Sequence, residues 1–178
     1  MESTFVFAGF GGQGVILAGK LLAQAGMYHG LHVTWLPSYG PEMRGGTANC
    51  TVVLSDEPIG SPVVDNSTAL VAMNLPSLDR FEKAVTEAGT VVINSSLITR
   101  SIERRDVTAL PVPVNDIAVS LGNARAANMV ALGAVVKATG IVPLDAVKKA
   151  MAGVLGKKGG GKLVKVNEQA LDAGYNAV

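Results

Sequence analysis

Phe5-Val6-Phe7-Ala8-Gly9-Phe10-Gly11-Gly12-Gln13-Gly14-Val15-Ile16-Leu17-Ala18 decides how this chain folds. The apolar run at its start, with aromatic and β-branched residues, reads as a buried strand. The glycines then break the strand, and a helix-period pattern begins behind them. Gly9, Gly11 and Gly14 satisfy G-x-G-x-x-G, with Gly12 added. Such a turn lets the backbone bend tightly and present N–H groups at the N-terminus of the next helix, which is a ready anion site. Two readings stay open: the glycines serve only close strand–helix packing, or the turn holds a phosphate-bearing ligand. An ordinary NAD site would also need an acidic residue about 20 positions on to hold the ribose. Leu36, Pro37, Ser38 and Tyr39 stand there instead.

The helix is expected from about Gln13 to His29, with Ile16, Leu17, Leu21, Leu22 and Ala25 towards a core, Lys20 and Gln24 towards solvent, and Gly30 as its stop. Leu31 to Leu36 alternates as a second strand, so strand, helix and strand imply a right-handed parallel βαβ unit. Pro37 to Gly46 is too rich in Pro and Gly for an element interior and reads as a specialised loop on the same rim as the glycine turn. Within it Arg44 can grip a carboxylate or phosphate, or form a surface ion pair with Glu42.

Thr47 to Ser55 is the third strand, followed by turns around a short edge segment at Val63-Val64. Thr68 to Asn74 reads as a strand covered on both faces, Ser77 to Ala88 as an amphipathic helix stopped by Gly89, and Thr90 to Asn94 as the returning strand. Asn74 and Asn94 fall at strand ends, on the rim or in local turns. Arg100, Glu103, Arg104, Arg105 and Asp106 form a charged connector of the kind that usually faces water. Val107 to Val114, with Pro111 and Pro113, can only be an edge or terminal strand. Helices are expected over about Asn115 to Leu121, Ala124 to Thr139, Pro143 to Leu155 and Val166 to Ala173. Between the last two, Gly156-Lys157-Lys158-Gly159-Gly160-Gly161-Lys162 reads as a mobile solvated loop or a clamp for an anion.

Composition narrows the function. At 178 residues the chain fits one domain, taken as 1–178. The expected class is α/β: a three-layer domain whose mostly parallel, or mixed, sheet is flanked by helices. Fifteen basic against fourteen acidic residues leave a net charge of +1, which gives no electrostatic footprint for nucleic acid. No apolar run is long enough to span a membrane, and no signal peptide is read at Met1-Glu2. The one cysteine, Cys50, excludes an internal disulfide, cannot build a cluster or zinc site by itself, sits in a strand as a buried thiol, and fits a reducing cytoplasm. His29 and His32 have no third ligand at metal spacing, so no metal is expected on this chain.

Four stretches together carry a resemblance: Gly9-Phe10-Gly11-Gly12-Gln13-Gly14; the loop Pro37-Ser38-Tyr39-Gly40-Pro41-Glu42-Met43-Arg44-Gly45-Gly46-Thr47; Arg125-Ala126-Ala127-Asn128-Met129-Val130-Ala131-Leu132-Gly133-Ala134; and Asn167-Glu168-Gln169-Ala170-Leu171-Asp172-Ala173-Gly174. Along its whole length the chain resembles the gamma subunit of 2-oxoacid:ferredoxin oxidoreductases, most closely the 2-oxoglutarate branch, then the branched-chain 2-oxoacid and indolepyruvate branches. The resemblance implies oxidative decarboxylation of a 2-oxoacid to its acyl-CoA with electrons passed to ferredoxin. It implies a complex that uses thiamine diphosphate, Mg2+, an iron–sulfur cluster and coenzyme A. It also implies alpha and beta partner subunits, with a delta, ferredoxin-like one as an option.

The division of labour agrees with the residues: there is no Gly-Asp-Gly run with a following Asn for magnesium and diphosphate, and no cysteine set for a cluster. No catalytic residue is assigned to this chain, which should be inactive alone. By the same resemblance, Gly9, Gly11, Gly12, Gln13 and Gly14 are the candidate coenzyme A phosphate turn. Ser38, Tyr39, Glu42 and Arg44 lie on an interface or ligand loop, and Asn128 stands at the start of the close-packed helix. The rival readings are a stand-alone nucleotide-binding oxidoreductase and a ligand-free structural subunit.

Overall fold

The computed structural model describes residues 1–39 and 46–178, without the side chains of 39 and 157–160. Among the described residues six strands form one sheet in the order β2-β3-β1-β4-β5-β6. They are β1 (Glu2–Phe10), β2 (His32–Tyr39), β3 (Thr47–Ser55), β4 (Ser67–Ala72), β5 (Val85–Asn94) and β6 (Thr108–Val112). β1, β4, β5 and β6 pair in parallel, whereas β3 runs antiparallel to both of its neighbours. The class is therefore the expected α/β one, with a mixed, mostly parallel sheet.

Strand alternation sorts the core into two layers. Phe5, Phe7, Cys50, Val52, Leu54, Ala69 and Val71 face α1 (Val15–Tyr28), α3 (Val114–Ser120), α4 (Ala127–Thr139) and α5 (Leu144–Asn176). Val6, Ala8, Leu70, Ala72, Val91 and Ile93 face α2 (Leu75–Phe81) and the strap that carries Ile98, Ile102 and Val107. That strap is the charged connector, and it is tied down as well as solvated. Arg100 bonds Asp79 at 2.7 Å and Glu82 at 3.0 Å, while Arg104 donates to the carbonyls of Glu82 and Val85 and pairs with Asp106.

Several boundaries differ from expectation, each for a tertiary reason. β1, α1 and β2 do form a crossover, but β2 is not the neighbour of β1; β3 lies between them and closes a hairpin with β2. β2 also continues through Pro37, Ser38 and Tyr39, opposite Cys50, Asn49 and Ala48, so the loop is shorter than its Pro-Gly content suggests. Pro37 is tolerated because β2 is an edge strand. Val63-Val64 forms no strand; 56–66 carries only bends and coil.

The helix expected over Ser77 to Ala88 stops early, at Phe81, and passes through a 3-10 turn, Glu82–Ala84, into β5. Val85 is buried, and a register shift against Ser67 and Ala69 accommodates the irregular Ala88-Gly89. Burial against the sheet outweighs the local helical pattern.

α1 ends as expected. The Gly30 amide bonds Met27 O and the Leu31 amide bonds Gly26 O, which is a Schellman closure. Its buried face, however, carries Gly19 and Gly26: a Cβ at Gly19 would strike Cys50 Sγ, and one at Gly26 would strike Leu54. α1 thus rides on β3 at backbone distance, and Ile16 and Leu17, expected in the core, are only half-buried.

α5 runs without a break in helical assignment through the Gly156–Lys162 segment, so the expected loop does not separate two elements. It is not straight. Lys148 Nζ lies 2.6 Å from Asp172 Oδ1, although an unbent helix would hold those residues about 36 Å apart. The helix doubles back, and its glycine-rich middle is where bending costs least. Its two ends bury Val147, Ala150, Met151 and Leu155 on one side of the bend and Asn167, Ala170 and Leu171 on the other.

Candidate functional site

The parallel strands β1, β4, β5 and β6 deliver their C-terminal ends to one rim, where open α/β sheets hold ligands. The glycine turn leaves β1 there, and much of it is occupied with itself. The Gly11 amide bonds Gly46 O at 2.9 Å, so the far end of the β2–β3 connection is tied to the turn as the common-rim argument expects. The Gln13 amide returns to Phe10 O at 3.1 Å, and Gln13 Oε1 accepts the Phe10 amide at 2.6 Å.

Packing accounts for Gly9, whose Cβ would sit 2.6 Å from Gln13 Oε1 and 2.9 Å from Met73 Cβ. Gly14 is required twice over: its φ is +74°, and a Cβ would overlap the Asn128 carboxamide. Gly12 differs from both. Its φ of +97° calls for glycine, but nothing lies within 4 Å of where its Cβ would be. It faces open space and borders cavities on both sides of the turn.

A chain of neutral carboxamides braces this rim. Asn74 Nδ2 donates to Gln13 Oε1 and Gln13 Nε2 donates to Met73 O, both at 3.3 Å. Asn94 Nδ2 donates to the same Met73 carbonyl at 3.0 Å and to Asn115 Oδ1 at 2.7 Å. Asn74 also caps α2 by accepting the Ser77 amide, which gives it the local role open to it in the sequence. Asn128 Nδ2, at the second residue of α4, donates to Gly14 O at 3.0 Å. The structure thus joins Gln13, Gly14 and Asn128 among the expected site residues. Asn74 and Asn94 take the rim position that their strand ends leave open, and Asn115, expected only as the start of a helix, joins them.

α1 begins at Val15 with no side-chain cap and no acidic residue in its first turn. Its unpaired amides and positive dipole end therefore point at whatever fills the space before it. That space is a cavity of about 470 Å³ between α1, the β2–β3 hairpin and α5. Its lining includes Gly11, Gly12 and Gly14 of the turn, the apolar Ile16, Leu17, Trp35, Ala48 and Val154, and the polar Lys20 and Ser38.

Ser38 is exposed and pairs with Asn49 in the strand register. Tyr39 is the last residue of β2, opposite Ala48; Glu42 and Arg44 lie outside the described residues. Lys20, Trp35 and Val154 escaped sequence reasoning. The usable signal was the lone tryptophan in a chain only 4% aromatic.

Cys50 is fully buried, its Sγ 3.5 Å from Val15 O, and burial pushes its thiol pKa up to about 12, with Trp35 and the Gly19 backbone pulling weakly the other way. It is a packing residue under α1. Among the described residues no group of three His, Cys, Asp or Glu could hold a metal ion, and no helix is long and apolar enough to cross a membrane.

Fold and rim together define a mixed-sheet α/β domain that offers a glycine turn and an adjoining cavity at the ligand edge of its sheet. A family model for pyruvate ferredoxin/flavodoxin oxidoreductase matches residues 4–177. The ketoisovalerate oxidoreductase subunit VorA of Methanothermobacter thermautotrophicus is 46% identical over 167 residues, covering 94% of this chain and 34% of VorA. The 2-oxoglutarate synthase subunit KorC of Methanothermobacter marburgensis is 37% identical over 158 residues, 85% of each chain.

Among solved structures, the gamma subunit of a keto/oxoacid ferredoxin oxidoreductase from Geobacter sulfurreducens superimposes with a TM-score of 0.86 at 31% identity, covering 99% of this chain and 96% of that one. The 2-oxoglutarate:ferredoxin oxidoreductase of Magnetococcus marinus, with 2-oxoglutarate, coenzyme A and succinyl-CoA bound, gives 0.90 at 26% identity, covering 99% of this chain and 31% of that one. The chain belongs to the pyruvate ferredoxin/flavodoxin oxidoreductase family and is of its gamma-subunit type. It spans about a third of the length of VorA (34%).

Proposed function

We propose that this chain, as a single domain over 1–178, is the gamma subunit of a multisubunit 2-oxoacid:ferredoxin oxidoreductase. Its complex would decarboxylate a 2-oxoacid oxidatively to the acyl-CoA and pass the electrons to ferredoxin. The observation that carries the reading is the open Gly12 end of the turn beside an uncapped α1 and a cavity, in a family one of whose members holds coenzyme A. Backbone amides at the turn suit a diphosphate, and the cavity walls suit an apolar group attached to it. Coenzyme A would supply the thiol that accepts the acyl group. This chain would bind and orient the cofactor and pack against alpha and beta subunits, with the 38–44 stretch as the contact loop and Glu42 and Arg44 as its charged anchors.

Thiamine diphosphate, Mg2+ and iron–sulfur clusters do not fit this chain's own donors. The sequence has one cysteine, which is buried, and the described residues offer no carboxylate–histidine cluster. Those groups belong with the partner subunits, in a cytoplasmic complex. The working substrate is 2-oxoglutarate; the 46% identity to a ketoisovalerate subunit favours a branched-chain 2-oxoacid as the second reading.

The test is anaerobic affinity purification from the native cells, followed by viologen-dye reduction with a panel of 2-oxoacids, with and without coenzyme A. The expected result is activity in the co-purified complex and none with the isolated chain. Turnover by the chain alone, or tight NAD(P)H binding to it, would instead support a stand-alone oxidoreductase. A complex that turns over fully without coenzyme A would remove the binding role and leave a structural subunit.

A further inference from the structure

We propose that the sheet face around Leu36 and Thr51, turned away from α1, is covered in the complex by the module that makes up the rest of the longer relatives' chains. The inference rests on the gamma-subunit reading and assigns it a docking surface beyond the glycine turn and the contact loop.

The sheet is covered unevenly. α1, α4 and α5 pack with the side chains of one face, including Val33, Trp35, Cys50, Val52 and Leu54 of the β2–β3 hairpin. On the other face α2 and the strap enclose an apolar cluster built on β1, β4 and β5, and among the described residues that cluster contains nothing from β2 or β3. Register and alternation lay Leu36, Thr51 and Val6 in one row across this second face, and Ser38, Asn49 and Ala8 in the next. Val6 and Ala8 are buried, but Leu36 is 42% exposed, Ser38 is exposed, and Thr51 and Asn49 are half-buried. One layer of a layered α/β domain is therefore thin over this end of the sheet.

The same end carries no charge. No Asp, Glu, Lys or Arg stands between Lys20 and Glu42, or between Arg44 and Asp56, so β2 and β3 have none at all. Strands that keep one face in water place polar residues there, and edge strands are commonly guarded by charges, lysine above all. The edge strand β2 has only Pro37 in that role. Depletion of charge around an exposed leucine is the composition of an interface core.

Chain length indicates the occupant. This chain spans 34% of VorA and 31% of the Magnetococcus marinus chain, so in both relatives the domain shares one polypeptide with further sequence of roughly twice its length. In KorC, matched over 85% of each chain, it stands without that addition. A module that is joined in some relatives and separate in others needs a permanent seat on the domain, and the neutral sheet face supplies one. The occupant presents an uncharged surface, with apolar contact for Leu36 and hydrogen-bonding groups for Thr51, Asn49 and Ser38. Ser38 also belongs to the contact loop, which makes the two surfaces contiguous.

The test compares Leu36→Cys with Met27→Cys, a control that is 60% exposed on α1, across the sheet. Each is labelled with a maleimide in the isolated chain and in the assembled complex; the native Cys50 is buried and stays silent. We expect assembly to slow labelling at Leu36→Cys by roughly tenfold or more relative to Met27→Cys, as water is excluded from the interface core. A photocrosslinker carried on Leu36→Cys should join the chain to the subunit whose sequence matches the remainder of VorA. Leu36→Glu should leave the Tm of the isolated chain in place and lower the yield of co-purified complex roughly tenfold or more, because it buries an unpaired charge.

Equal slowing at both cysteines, a crosslink to a different subunit, or a native yield with Leu36→Glu would overturn the assignment while leaving the gamma-subunit reading intact. Shielding of Leu36→Cys in the isolated chain that is lost on dilution would make the occupant a second copy and overturn it as well. A native chain that brings down no 2-oxoacid-dependent dye reduction would remove the gamma-subunit reading itself, and the proposal with it.

Discussion

Gln13 ties three partners at the rim, because one carboxamide accepts from Phe10 and Asn74 while donating to Met73 O. Gln13→Ala strands the Phe10 amide and removes the side-chain ties from the turn to Met73 O and Asn74. The Phe10 amide is near solvent, so the cost should be at the low end for a lost hydrogen bond, about 1 kcal/mol, or a Tm lower by about 2–4 °C in thermal unfolding. Gln13→Glu would keep the acceptor and lose the donor; its charge before α1 should also raise the KM for coenzyme A in the assembled complex.

Cys50 gives a second residue-scale expectation. A pKa pushed up to about 12 by burial keeps the thiol protonated and unreactive, so iodoacetamide at pH 8 should label it only after unfolding. The sign for stability follows. The unfolded thiol ionises near pH 8.5 and the folded one near 12, so this contribution is intact below about pH 8.5 and declines as pH rises through that window. A denaturation midpoint that rose between pH 9 and 11 would contradict it. The glycine spacing was readable at this scale, but the reason for each glycine was not. Gly14 is excluded from other identities by Asn128, which is 114 residues away.

Among the elements, α4 and α5 meet at backbone contact. A Cβ on Gly133 would overlap Leu171 O, and one on Gly174 would overlap Val130 O. Gly174→Val should therefore force the helices apart and cost about 1–3 kcal/mol or more, seen as a Tm lower by about 5 °C or beyond. An unchanged Tm would mean that the C-terminal part of α5 does not pack there. The small-residue character of α4 was legible from Ala127, Ala131, Gly133 and Ala134, since only such a face admits close approach. The end of α2 was not, because Phe81 and Val85 continue a helical period while Val85 is claimed by β5. The fold-back of α5 was likewise hidden: glycines mark where bending is easy, but the Lys148–Asp172 contact reveals the reversal.

At the scale of the whole molecule, the sheet carries the functional argument. β3 inserted beside β1 takes the place that the second strand of a dinucleotide-binding unit would fill. The Gly11–Gly46 bond then draws the end of the β2–β3 connection onto the turn. With Gly46 held at the glycine turn, the proposed ligand turn and the proposed contact loop would share one edge, which suits a subunit that completes a site shared with another chain. On the proposed function, mixing the separately purified chain with its partner subunits should restore coenzyme A-dependent dye reduction that neither fraction shows by itself, with activity saturating as this chain is added.

The strands, the glycine turn, the α/β class and the small-residue helix could be read from the order of residues alone, because each depends on local periodicity and backbone freedom. The family resemblance was readable for the same reason, since its motifs are contiguous stretches. Tertiary structure alone decided that β3 separates β1 from β2, that Gln13 joins Asn74 and Gly14 joins Asn128 beside the turn, and that Lys20, Trp35 and Val154 wall a cavity with Gly12. These depend on contacts between residues far apart in sequence, where burial and shape complementarity choose among pairings that local preference leaves equal.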